Sequence, residues 1–222
     1  MGNTTLAESR KNCIVTAYDV TERKAVLFTS PEARKYDHKN YLMRDVARAT
    51  SAAPTYFELA AIQSMGGAAS YLIDGAVYAG NPTMCAMVEA NKSVYESCAN
   101  PTVNDLYIVS VGTGKEKNKY DYRKAKDWGA VGWARPMIDI LLSASAEVVD
   151  YQMKQLFNVA ECSDCYVRLE PELGKAKPEM DDASDKNIQQ LKDAGECFIK
   201  DHVEELDEIA RRLCQNPPLY QK

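Results

Sequence analysis

The stretch DLYIVSVGTG, residues 105–114, constrains the fold more than any other. A strand with one solvated face alternates polar and apolar residues. This one is apolar almost without a break and closes on two glycines, so it reads as a central strand covered on both faces. Covering both faces requires helices, and the sequence supplies several. Strands alternating with helices imply an α/β layered fold, a central and mostly parallel sheet flanked by helices.

Upstream, CIVTAYD (13–19) and AVLFT (25–29) are β-rich runs separated by a polar stretch, the pattern of an antiparallel hairpin with a longer turn. NYLMRDVARATSAAPTYF is helix-like from about Tyr41 and should stop by Ala53, because the residue before a proline is pushed out of the α region. SYLI (70–73) reads as a short buried strand ending at Asp74, and GAVYAG (75–80) as a small-residue turn or a second strand. Asn81 is a suitable N-cap for the next helix, with Pro82 at its first position, and Met84, Met87, Val88 and Tyr95 form an apolar stripe. PMIDILLSASAEVVDYQMKQLF (136–157) predicts a long amphipathic helix, with Met137, Ile140, Leu141, Ala144, Val148, Tyr151 and Leu156 at three- and four-residue steps. CYVRLEPEL is a further strand. Residues 184–215 read as a helical tail with Ile188, Leu191, Phe198, Leu206, Ile209 and Leu213 on one side. Neither an internal repeat nor a linker divides the chain, so residues 1–222 are expected to belong to a single domain.

A net charge of −5 and a pI near 5.2 argue against a nucleic-acid binder, which carries a clustered basic excess. No apolar run approaches the roughly 20 residues of a spanning helix, and the N-terminus has no hydrophobic signal core. The expectation is a soluble protein, cytoplasmic or peripheral to a membrane. A myristoylation reading of the start fails because Leu6 stands where Ser or Thr is wanted. Seven irregularly spaced cysteines form no disulfide framework and suggest reduced thiols. Cys162 and Cys165 are the only C-x-x-C; half a zinc site is one reading, but His38 and His202 lack ligand spacing from it, and cysteines around a turn are the stronger one.

Asp74 lies at the end of a predicted buried strand, where open α/β sheets bind their ligands. Gly75 lets another backbone or a substrate approach, the small residues after it leave the carboxylate accessible, and partial burial would raise its pKa toward the useful range for a base. On spacing alone, an ordinary Asp-Gly turn remains the stronger reading.

The surroundings change that balance. VARATSAAPTYFELAAI, YLIDGAVYAGNPTMCAMVEA and YIVSVGTG together closely resemble the patatin-like phospholipase family, and the likeness continues through WGAVGWARPMIDILLSASAEVVDYQMKQLF and MDDASDKNIQQLKDAGE. The resemblance implies a patatin-type fold and a lipid acyl hydrolase of phospholipase A and lysophospholipase type, acting on phospholipid or another acyl lipid. It further implies a serine–aspartate dyad with no metal or organic cofactor. The family's D-G-[GA] element falls on Asp74, Gly75 and Ala76, which makes Asp74 the base. Its partner would be a serine in a G-x-S-x-G elbow, yet the chain has no such motif: Ser110 in SVGTG, Ser70 in SMGGAAS and the serines of LLSASAE all lack the glycines that a strained strand-to-helix turn requires. The family places that elbow and a glycine-rich oxyanion loop upstream of the matched segment. The chain is therefore expected to be the C-terminal part of a patatin-like domain, with an incomplete fold and inactive alone. The rival reading is a catalytically inactive module that binds lipid or a partner.

Two further stretches carry suggestive patterns. VGTGK mimics a phosphate loop, but Val109 and Glu116 stand where glycine and Ser or Thr are needed. Residues 115–135 interleave Tyr120, Tyr122, Trp128 and Trp133 with basic side chains, a composition that suits a membrane interface; tryptophans packed on the neighbouring helix are the simpler reading. Oligomeric state leaves no trace in the sequence.

Overall fold

The computed structural model describes residues 2–93, 100–115 and 120–215. In chain order the elements are β1 (Ile14–Asp19), β2 (Lys24–Thr29), α1 (Ser30–Ala33), α2 (Met43–Thr50), β3 (Ala60–Gln63), β4 (Ala69–Asp74), α3 (Ala76–Ala79) and α4 (Thr83–Asn91). There follow β5 (Ile108–Val111), α5 (Tyr122–Ala125), α6 (Ala130–Val159), β6 (Tyr166–Leu169), α7 (Asp185–Asp201) and α8 (Val203–Gln215). They fall into two compact units, Met1–Leu106 with Arg123–Cys165 and Tyr107–Tyr122 with Tyr166–Lys222.

The first unit is built on a four-stranded sheet in the order β2-β1-β4-β3, antiparallel throughout. Short turns dictate this for β1–β2 and β3–β4, because a parallel pair needs a crossover of a dozen residues or more. The β1–β2 turn is organised by Asp19, whose Oδ1 accepts the amides of Thr21 and Glu22 at 2.9 Å each. The β3–β4 turn closes through the Ser64 amide donating to the Ala68 carbonyl and the Ala68 amide donating to the Ser64 hydroxyl. α2 packs against the sheet through Val46 and Ala49, and the core there contains Leu6, Ala17, Phe28, Ala52 and Leu72. Alanines dominate this contact, so helix and sheet backbones come close, and Leu72 alone contributes roughly 1.5–3 kcal/mol by its burial. The hairpin and α2 form where the sequence puts them.

Three expectations in this unit need correction. GAVYAG is neither a turn nor a strand: Ala76–Ala79 make a single helical turn, α3, begun by the Asp74 side chain accepting the Ala76 amide. α4 starts one residue later than expected, at Thr83; Asn81 still accepts a helix-end amide, that of Thr83 at 3.1 Å, but Pro82 occupies the cap position. α6 begins at Ala130 and carries Pro136 inside it, so the Gly132 carbonyl has no amide four residues on. Its apolar stripe is largely solvent-facing: Met137, Val148 and Tyr151 are 45%, 54% and 65% exposed, while Met153 and Phe157 are fully buried. In the α4 stripe Met87 is buried and Val88 exposed; Tyr95 lies outside the described residues.

The second unit pairs β5 with β6 in parallel, Ile108 opposite Tyr166 through Val111 opposite Leu169. Parallel pairing among the described residues is confined to these two strands and an isolated bridge between Lys115 and Glu172, so the α/β mixture stands while the four-stranded sheet is antiparallel. β5 is not covered on both faces, since Val111 is 70% exposed. An apolar run records which residues avoid water without recording what covers them. Polar side chains hold this unit together. Arg168 Nη1 donates to the Ser110 hydroxyl at 2.8 Å and forms an ion pair with Glu170, whose Oε1 accepts the Gly114 amide at 2.8 Å. Gly114, at φ +114°, makes the strand-end turn expected of GTG. The helical tail is two helices, broken at His202, whose ring stacks on Phe198 at 4.0 Å. Ser184 caps α7 by accepting the Asn187 amide, and buried Asn187 holds the preceding loop through the Lys177 amide and the Asp182 carbonyl.

Candidate functional site

Asp74 is the last residue of β4 and is held from two sides. Its amide donates to the Ala52 carbonyl at 3.0 Å, and across the sheet it stands opposite Ala17 of β1. The ATSAAP stretch and the Asp-Gly element, twenty residues apart in sequence, therefore meet at this point. Asp74 Oδ1 accepts the Ala76 amide at 2.8 Å. Among the described residues this is the only hydrogen bond to the carboxylate, which leaves Oδ2 unengaged there. Burial pushes the Asp74 pKa up, opposed in part by the Ala76 hydrogen bond. A half-buried carboxylate with one oxygen fixed and the other unengaged is equipped to take a proton.

Gly75 is required by packing. A Cβ at this position would lie 2.2 Å from Thr16 Oγ1 and 2.3 Å from the Thr16 carbonyl oxygen, so the close approach that the glycine allows is to β1. Ala76 follows as the first residue of α3. That turn is anchored at both ends of its reach. Tyr78 donates its hydroxyl to the Val26 carbonyl at 3.0 Å, and burial pushes its pKa up to about 12. The Gly80 amide donates to the Ser145 hydroxyl of α6 at 3.1 Å, and a Cβ on Gly80 would lie 2.4 Å from the Leu142 carbonyl oxygen.

Ala52 supports the aspartate from within the ATSAAP stretch, whereas Thr16, Ala17, Leu142 and Ser145 do so from strand and helix positions whose pattern gives no sign of that role. One part of the sequence argument for Asp74 also changes: ligand crevices at the carboxyl ends of strands belong to parallel sheets, and β4 lies in an antiparallel one.

Among the described residues no serine hydroxyl is hydrogen-bonded to Asp74. Ser110 is buried and receives Arg168, Ser70 meets the Tyr41 hydroxyl at 3.2 Å, and Ser143 and Ser145 donate to carbonyls of their own helix. In the aromatic segment Trp128 and Trp133 pack edge to face at 5.1 Å around the start of α6, while Tyr122 is 78% exposed; residues 116–119 lie outside the described residues. Cys162 precedes, and Cys165 ends, the 3-10 turn before β6. No helix among the described residues is long and apolar enough to cross a membrane.

No protein-family model matches the chain. Curated relatives do. Patatin-like protein 2 of Oryza sativa subsp. indica is 30% identical over 227 residues, covering 93% of this chain and 56% of the relative. Patatin-like protein 3 of Arabidopsis thaliana is 30% identical over 223 residues, covering 91% and 52%. Patatin-like protein 6 of the same plant is 32% identical over 202 residues, covering 88% and 40%. The chain thus spans about half the length of the curated relatives it matches. With the Asp-Gly element and the ATSAAP stretch both inside these long alignments and side by side in the fold, the chain belongs to the patatin-like family.

Proposed function

We propose that this chain carries the aspartate of a patatin-like lipid acyl hydrolase, of phospholipase A and lysophospholipase type, with Asp74 as general base. The observation that carries the reading is the Asp74 carboxylate: half-buried, raised in pKa, fixed through Oδ1 by the Ala76 amide and unengaged at Oδ2 among the described residues. In this reading a serine hydroxyl from a G-x-S-x-G elbow, which the family places upstream of the matched segment, gives its proton to Oδ2 as its oxygen attacks the lipid ester carbonyl. The ester C–O bond breaks, the lysolipid alcohol leaves with the proton from Asp74, and an acyl-serine remains. Water, deprotonated by the same carboxylate, then releases the fatty acid. Gly75 and Ala76 set the turn behind the carboxylate, and Asn81 with Pro82 holds the start of α4. The chemistry requires no cofactor, and residues 1–222 act within a single patatin-like domain.

The test is a chimera in which the matched segment of the Oryza Patatin-like protein 2 is replaced by this chain, assayed for fatty-acid release from lysophosphatidylcholine. Activity should fall by about 10²–10⁴-fold on Asp74→Asn, the range for losing a general base, without loss of fold. An active chimera whose Asp74→Asn variant keeps near-full activity would remove Asp74 from the mechanism.

A second reading is a non-catalytic lipid- or partner-binding module. It is favoured by an open apolar groove of about 630 Å³ lined by Met84, Tyr151, Leu156 and Val159. Exposed aromatics in residues 115–135 would give such a module peripheral membrane contact. The chimera separates the two: fatty-acid release that Asp74→Asn abolishes supports the hydrolase reading, and a folded chimera that binds lipid vesicles without releasing fatty acid supports the module.

A further inference from the structure

Cys162 and Cys165 stand i, i+3 across a 3-10 turn closed by the Cys165 amide donating to the Cys162 carbonyl at 2.9 Å. Side chains three apart eclipse in a 3-10 turn, and residues so placed have Cα atoms closer than about 7 Å, inside the span a disulfide bridges. The turn is fixed at its entrance as well: Glu161 adopts φ +57°, ending α6, and the Cys162 amide donates to the Phe157 carbonyl at 3.0 Å. Both cysteines are half-buried, within reach of a small thiol reagent. No other two cysteines of the chain stand three apart.

We propose that Cys162 and Cys165 form a reversible dithiol–disulfide site whose oxidant is a small-molecule disulfide of the glutathione type.

The environment assigns the order of attack. The Cys162 thiol donates to Asn104 Oδ1 at 3.3 Å, and partial burial, then the neighbouring Cys165 and Asp164, push its pKa up. Cys162 is held by Asn104 more closely than Cys165 is by Asp164 Oδ1, at 4.0 Å, so Cys165 attacks first. Its thiolate bonds to one sulfur of the oxidant and expels a glutathione thiolate, which takes up the proton that Cys165 released. Cys162 then loses its proton to solvent and its sulfur attacks the Cys165 sulfur, expelling the second glutathione. Two thiols are oxidised by two electrons, and one glutathione disulfide is reduced to two glutathiones.

The experiment is incubation of the whole chain with glutathione disulfide, acid quench, alkylation of the remaining thiols and mass spectrometry of the digest. In the expected result the peptide containing 162–165 is lighter by two hydrogens and carries no alkyl group. Cys162→Ser leaves glutathione trapped on Cys165, and Cys197→Ser changes nothing at this peptide. Two alkyl groups on the wild-type peptide while exposed Cys197 is glutathionylated would overturn the site. Stable glutathione on wild-type Cys165 would do the same, because it means that Cys162 cannot reach it.

Discussion

In the sheet that ends at Asp74 and the α2 helix packed on it, Leu72, Ala17 and Ala49 are fully buried and the elements meet through small apolar side chains. In the β5–β6 pair the organising contacts are polar: Arg168 to Ser110, Arg168 to Glu170, and Glu170 to the Gly114 amide. The difference decides how each region tolerates change. Close apolar packing fails when volume is added, since backbones must separate; a polar network fails when one member is removed, since its partners stay buried without it.

The largest effect is expected at Gly75. Gly75→Ala drives a methyl into the Thr16 backbone and should cost about 3 kcal/mol, read from the denaturant midpoint. Amide exchange should quicken first across Ala17–Asp19 and Leu72–Asp74. A variant as stable as wild type would show that β1 and β4 can part freely, and the contrast would lose its first half.

Glu170→Ala leaves Arg168 poorly solvated and unpaired with that carboxylate, at a cost of about 2 kcal/mol. Faster exchange at Ile108–Val111, with the Ala17 and Leu72 amides unchanged, would sharpen the contrast. Equal loss in both regions would merge them into one cooperative unit. Ser184→Ala removes the α7 cap and should cost about 1 kcal/mol, recovered largely by Ser184→Asp.

The smallest effect has the opposite sign. Burial raises the folded-state pKa of Asp74 above the ordinary 3.8, so between the two values the native state holds a proton that the unfolded state has released. Ionised Asp74 is thus destabilising above its folded-state pKa, and that penalty disappears below 3.8. Asp74→Asn, whose amide oxygen can still accept from Ala76, should stabilise the chain at neutral pH by about 0.5 kcal/mol. The gain should vanish on acidification; a gain independent of pH would assign it to packing instead.

Local signals were legible and coverage was not. The β1–β2 hairpin, α2 and the strand into Asp74 could be read because periodicity, turn chemistry and the Ala53-Pro54 stop act within a few residues. α3 was missed because its start depends on one hydrogen bond, from the Ala76 amide to the Asp74 side chain, inside a segment whose glycines suggest a turn. The stripe on α6 gave the helix correctly and its buried face wrongly, because three- and four-residue spacing identifies an apolar face without identifying what meets it. For the same reason β5 looked central. At the site, Asp74, Gly75 and Ala76 were visible as a motif, whereas Thr16 and Ser145 became visible only when β1 and α6 were folded against them.

The contact between Gly80 and α6 also bears on descent. With the Leu142 carbonyl and the Ser145 hydroxyl filling the space where a side chain would begin, neither position can drift alone: a larger residue at 80 demands a shifted α6, and a bulkier one at 145 removes the acceptor of the Gly80 amide. Positions 80 and 145 should therefore be inherited as a pair, changing together among descendants of this chain or not at all.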